Sequence, residues 1–214
     1  IVRVNSNNID EAIAQLVGAL TPSGGGFNYI PATVATKLAY RGVHRIDPLL
    51  SVKSMKDGSV GAGANAEVVR LAAPFAFGRE TKVFDLTPRT FVYAGRSASY
   101  RIPFFFVEKG VIKLYFLQPR KNTVFTLDQV SLYASLAKKF LMDSEFFGET
   151  TDLEIVETAV RQEGEARKLQ VYSLSELEIW DDSKIQRHLA VVDEALKFIE
   201  AANLIPKTRR PLKD

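Results

Sequence analysis

The stretch Tyr100-Arg-Ile-Pro-Phe-Phe-Phe-Val107 constrains the fold more than any other part of the chain. Its apolar residues run on without alternation, and a strand of that kind must be covered on both faces. Its neighbours Val83–Leu86, Thr90–Ala94 and Val111–Leu117 are also rich in β-branched and aromatic residues and read as further strands. Lys109-Gly110 lies between Tyr100–Val107 and Val111–Leu117 and reads as the turn of a tight hairpin. Pro103 has no N–H to donate, so it must sit where the ladder needs no donor.

Helical periodicity flanks this block. Ile9, Ala12, Ile13, Leu16, Val17 and Leu20 share one face of a helix opened by an Asn8…Glu11 capping box and ended by Thr21-Pro-Ser-Gly-Gly-Gly26. Pro31–Tyr40 reads as a second helix, with proline in its first turn and Gly42 just beyond it. Leu49–Met55 reads as a short helix, Gly61–Gly63 as loop and Asn65–Phe75 as helix. Thr126-Leu-Asp-Gln129 is a capping box opening a helix to Leu141. Asp152–Val160 and Lys168–Leu174 then read as strands, and Ser183–Ala202 as a final helix. The expected class is α/β, with a mixed sheet of four to six strands flanked by helices and an α-β-β-β-α-β core. The expected organisation is a single domain, with residues 1–64 as an N-terminal helical lobe and 65–205 as the α/β core.

Composition removes several chemistries. The 214 residues are 46% apolar and 25% charged, an ordinary globular balance, and none is cysteine. Disulfides, thiolate nucleophiles and cysteine-ligated zinc are therefore excluded. The opening Ile1-Val-Arg-Val-Asn5 does not read as a signal peptide, and apolar runs such as Phe104–Val107 are far too short for a membrane span, so no membrane association and a cytoplasmic location are expected. The two histidines, His44 and His188, have no metal-ligand partner at helical spacing, and His188 reads as a surface or boundary residue. Ser23-Gly-Gly-Gly26 and Gly58-Ser-Val-Gly61-Ala-Gly63 lack the preceding strand of a phosphate cradle. Gly95-Arg-Ser97-Ala-Ser99 holds only the first half of a nucleophile elbow.

Charge is unevenly spread. Arg79–Lys121 holds nine Lys or Arg against three Asp or Glu, and Asp143–Glu165 holds eight Asp or Glu against one Arg. Either the two stretches are solvated faces that pair with each other and with water, or the basic one meets a polyanion.

Over residues 65–160 the element order resembles the restriction-endonuclease-like superfamily, whose motif is PD-(D/E)XK. In that family an acid on the second core strand and a Glu or Gln-x-Lys on the third hold a divalent metal at a phosphodiester, where the metal acts as Lewis acid and activates a water. Here the third strand ends Phe116-Leu-Gln118-Pro-Arg120-Lys121. Gln118 matches the Gln variant, Arg120 stands in the Lys position and Lys121 is one residue late. The second strand offers no acid before Glu108, and Asp85 lies one strand earlier. Because hard cations want carboxylates, the resemblance implies a degenerate and inactive member.

Three functions follow as expectations. The first is a nucleic-acid-associated protein binding DNA or RNA through a rim of Arg96, Arg101, Lys113, Arg120 and Lys121, with Tyr93, Tyr100, Tyr115 and Phe116 as stacking surfaces or as core. The second is a non-enzymatic module for a protein partner or self-association. The third is a nuclease using Asp85 or Glu108 with Gln118 and Arg120, the one reading that calls for Mg²⁺; otherwise no cofactor is implied.

Overall fold

The computed structural model describes residues 2–21, 28–51, 60–100 and 102–205. The chain divides into two compact units, Ile1–Gly26 with Val92–Ala98 and Trp180–Asp214, and Phe27–Phe91 with Ser99–Ile179. Residues 1–64 divide between the two.

The larger unit contains α2 (Ile30–Tyr40), α3 (Ile46–Leu50) and α4 (Val60–Ala72), the last continued by a 3₁₀ turn at Ala73–Ala76. Its sheet comprises β1 (Lys82–Asp85), β4 (Phe104–Glu108), β5 (Val111–Gln118), β6 (Thr151–Ala159) and β7 (Lys168–Ser173), in the order β1-β4-β5-β6-β7. Strands β1, β4 and β5 form an antiparallel meander. Helix α5 (Leu127–Ala137) then carries the chain over to β6, which is parallel to β5, and β7 returns antiparallel. This is the mixed α/β sheet expected from the sequence.

Both faces of the sheet are covered, as the unbroken apolar strand requires. On one face Phe104, Phe106, Tyr115, Leu117 and Val156 form a core with Ala35, Ala39 and Tyr40 of α2 and Val68, Val69 and Ala72 of α4. On the other, Phe116 meets Tyr133 of α5 at 4.3 Å between ring centroids, and Leu114, Leu153 and Ile155 are buried. Buried Asn65 ties α4 to the start of α2, accepting from the Ala32 N–H at 2.9 Å and donating to the Asn28 carbonyl at 2.9 Å.

The two-residue connections behave as their spacing dictates. Lys109 and Gly110 both have positive φ, 50° and 80°, which joins β4 to β5 with the twist a hairpin needs. Ala94 and Gly95, at 45° and 76°, do the same between β2 (Arg89–Tyr93) and β3 (Arg96–Tyr100), a separate two-stranded sheet.

Three expectations about elements change. Tyr100–Val107 is not one strand: β3 ends at Tyr100 and β4 begins at Phe104. Pro103, which cannot donate, lies between them, where the chain leaves one sheet for another. Gly61 and Gly63 are not loop but lie in the first turn of α4. The helix opened at Thr126 is α-helical to Ala137 and then widens into a π turn at Lys138–Met142, followed by the short α6 (Asp143–Glu145). The glycine run Ser23–Gly26 and most of the predicted helix Leu49–Met55 lie outside the described residues.

The smaller unit pairs α1 (Ile9–Leu20) with α7 (Asp182–Ala201). Asn8 caps α1 by accepting from the Asp10 and Glu11 N–H groups, while the Glu11 side chain bonds Asn5 and Gln15 instead of closing a box. Ala12 and Leu16 of α1 and Ile185, Leu189, Val192 and Ile199 of α7 are buried. His188 is buried as well, contrary to the surface placement expected, and lies edge-on to Trp180 at 5.9 Å. An imidazole can be covered at such a position because an aromatic neighbour and an apolar helix face accept its ring.

The capping box at Thr126 is complete, with Thr126 Oγ1 accepting from the Gln129 N–H and Gln129 Oε1 accepting from the Thr126 N–H. Thr126→Ala is expected to cost about 1 kcal/mol, read as a lower urea midpoint with an unchanged slope.

Candidate functional site

In open α/β sheets ligands gather at the carboxyl ends of parallel strands. Here that place is the end of β5 and β6, where Gln118 stands opposite Glu157. The Gln118 side chain folds onto its own loop: its amide donates to the carbonyls of Arg120 at 3.2 Å and Thr123 at 2.5 Å, and its oxygen accepts from the Arg120 N–H at 3.1 Å. Glu157 is fully buried and accepts from the Phe125 N–H and from Arg161, both at 2.7 Å. Both residues hold the β5–α5 connection in shape.

Arg167, placed just before β7, fills the space beside this end. Its guanidinium donates to Glu67 of α4 at 2.8 Å, to the carbonyls of Pro119 at 2.5 Å and Thr158 at 2.8 Å, and to the Tyr29 hydroxyl at 3.1 Å. A buried guanidinium with four oxygen partners is an internal cation whose charge and donors are both satisfied. Arg120 and Lys121 lie on the outer side of the same loop. Both are exposed, and no carboxylate among the described residues pairs with either.

The other residues singled out from the sequence fall elsewhere. Glu108 ends β4 opposite Val111, at the far end of β5 from Gln118. Seven residue steps at about 3.3 Å each put roughly 23 Å between the two ends, so Glu108 and Gln118 do not meet around one metal ion. Asp85 ends β1, exposed and ion-paired with Lys37, and with Arg41 at 3.5 Å. Its bond to Lys37 holds its carboxyl below the usual range. Lys113 lies 3.3 Å from Glu108 and 3.7 Å from Asp152. Arg96 belongs to the smaller unit and bonds Asp193 at 2.6 Å and Glu200 at 2.7 Å. Arg101 lies outside the described residues. Tyr93, Tyr100 and Tyr115 are buried, and Phe116 packs on Tyr133, so these rings serve as core. Of the basic rim, Arg120 and Lys121 alone are brought together as exposed, unpaired cations among the described residues.

A second charged cluster lies on the sheet face beneath α2. Arg79 donates two bonds of 2.8 Å to Glu108, reaches Glu154 at 3.0 Å and touches the Tyr40 hydroxyl at 3.3 Å; the Tyr40 hydroxyl in turn bonds Glu154. The hydrogen bonds from Arg79 hold Glu108 down to about 2. Burial pushes Glu154 up, against the pull of Arg79, and burial together with the Glu154 charge pushes the Tyr40 phenol up. Glu67, Arg79, Glu154, Glu157 and Arg167 were not singled out from the sequence. Their signal was present in Leu153-Glu154-Ile155-Val156-Glu157, where two acids interrupt an apolar strand and must find partners.

Compared with known proteins, the chain matches no family model, no curated protein and no solved structure.

Glu108 gives a signed expectation. Its folded-state value of about 2 lies below the ordinary 4.5, so its contribution is complete above pH 4.5 and is lost as pH falls toward 2. Glu154 has the opposite sign, because a raised carboxyl stabilises below its unfolded value and loses that contribution as pH rises through its folded value. Urea unfolding of Glu108→Gln should therefore show a smaller loss of stability on acidification from about pH 5 to about pH 2.5 than the parent protein.

Proposed function

We propose that the protein is a non-catalytic, nucleic-acid-associated protein with a nuclease-like α/β core, contacting DNA or RNA phosphates through the loop after β5. The observation that carries this reading is the pair Arg120–Lys121, two adjacent exposed cations without carboxylate partners among the described residues, at the carboxyl end of the parallel strands. The sheet supports the core assignment: a helix, a three-strand antiparallel meander, a crossover helix and a parallel fourth strand repeat the expected α-β-β-β-α-β order, with the β2–β3 hairpin inserted after β1. The internal bonding of Gln118, Glu157 and Arg167 supports the non-catalytic part, since the polar groups at that end already have partners within the fold.

Two phosphate contacts set the expected strength. Each neutralised phosphate of duplex DNA contributes about −0.9 to the slope of log K against log salt, so the slope should be near −2. Fluorescence anisotropy with labelled single- and double-stranded DNA and RNA at several salt concentrations measures it. Arg120→Glu with Lys121→Glu should abolish binding at low salt, whereas Lys82→Glu, at the opposite end of the sheet unit, should leave the slope unchanged. Equal binding by the Arg120/Lys121 variant and the parent would end this reading. Cleavage products in tubes with Mg²⁺ or Mn²⁺ would replace it with the nuclease reading.

A further inference from the structure

Strand β5 is longer than the strand beside it. β4 begins at Phe104, opposite Tyr115, so β5 continues through Phe116, Leu117 and Gln118 with no β4 residue alongside. The Ile112 N–H points to the β6 side, where it bonds the Thr150 carbonyl. Alternation along the strand therefore turns the Leu117 N–H and C=O to the side where β4 has ended. A cleft of about 430 Å³ opens at this step, between α2 and the ends of β1 and β4, with Ile30, Val34, Lys37, Asp85, Pro103 and Leu117 in its wall. Its α2 rim is apolar and open to water, with Ile30 66% and Val34 43% exposed. Among the described residues Lys37 and Arg41 share a single carboxylate, Asp85, which leaves one positive charge of the three groups uncompensated.

We propose that this cleft binds the carboxyl-terminal end of an extended, apolar peptide. Three features select that occupant together. A strand edge with both a donor and an acceptor is matched by peptide backbone, which adds as a further short strand. An apolar lining within the size range of ligand pockets takes aliphatic side chains. A surplus cation at the rim takes a carboxylate through a charge-assisted hydrogen bond. A fatty acid offers no N–H to the Leu117 carbonyl, and a nucleic-acid phosphate gains nothing from Ile30 and Val34. The site is separate from Arg120 and Lys121, so it stands or falls apart from the nucleic-acid reading.

The test uses the full chain and a fluorescein-labelled hexapeptide, Gly-Ser-Gly-Leu-Val-Leu, with a free carboxyl terminus or an amidated one. The free acid should bind about tenfold more tightly than the amide, the worth of one charged hydrogen bond. Lys37→Met should lower the acid to the level of the amide and leave the amide unchanged. Val34→Glu should weaken both, and Arg120→Glu with Lys121→Glu neither, with thermal melts confirming that each variant is folded. Amide NMR shifts on titration should centre on Leu117. No binding of the acid at about 1 mM, equal affinity of acid and amide, decanoate binding as tightly as the peptide, or shifts centred away from Leu117 would each overturn the proposal.

Discussion

Glu154 stands in the middle of β6 on a face sealed by α2, and the arrangement of the larger unit follows from how that carboxylate is accommodated. Burial alone would keep it neutral. Arg79, brought in just after the 3₁₀ turn that extends α4, supplies the opposite charge, and the Tyr40 hydroxyl of α2 supplies a further bond. Arg79 is itself largely covered and uses its remaining donors on Glu108 at the β4–β5 hairpin. Glu108 then draws in Lys113, and Lys113 faces Asp152. One buried acid thus links α2, the segment after α4, β4, β5 and β6 through groups that are costly to leave alone. Rings of Tyr40, Phe75 and Phe106 lie about the Arg79 guanidinium within 5.2 Å, which suits its flat, weakly hydrated surface.

The same pairing resolves the uneven charge of the sequence. Arg79–Glu154, Arg89–Glu145 and Lys113–Asp152 each join the basic stretch to the acidic one. Glu157 and Glu165 are met by Arg161 and Lys168 from the segment around the β6–β7 turn, and Asp143 by Lys138. The two stretches therefore do not persist as two fields of opposite sign. What is left unpaired of the basic stretch among the described residues is local: Arg120 and Lys121 at one end of the sheet, Lys82 and Lys109 at the other.

Elements governed by local chemistry were legible. The caps at Asn8 and Thr126, the Lys109-Gly110 hairpin and the strands at residues 151–159 and 168–173 all lie within a residue or so of their expected positions, because side chains near in sequence decide them. Features decided at a distance were not. That β3 and β4 belong to different sheets depends on which strands they meet, and Pro103 marks the break without naming the partners. The separation of α1 from α2 and α3 follows from α1 packing on α7, nearly the whole chain away. At the candidate site, Gln118, Arg120 and Lys121 were legible as the polar end of an apolar strand. Arg167 was not, because nothing in its own neighbourhood announces that Glu67, Pro119, Thr158 and Tyr29 will surround it. Arg96 read as part of a basic rim because its partners Asp193 and Glu200 lie about a hundred residues further on.

The π turn at Lys138–Met142 has a consequence for how this chain can vary in length. Each residue of an α-helix advances about 100° around its axis, so an added residue would ordinarily swing everything beyond it onto a different face. A wide turn absorbs that residue as a bulge, and the helix on either side keeps its facing. Here the turn keeps Leu141 and Met142 inside while Phe140 stacks on Phe91 at 4.3 Å. The segment is a seam: taking one residue out of 138–142 would return the turn to α-helical spacing while α5 and β6 stay where they are, and the same deletion within the last turn of α5 would turn the buried Leu136 or Ala137 off the core face.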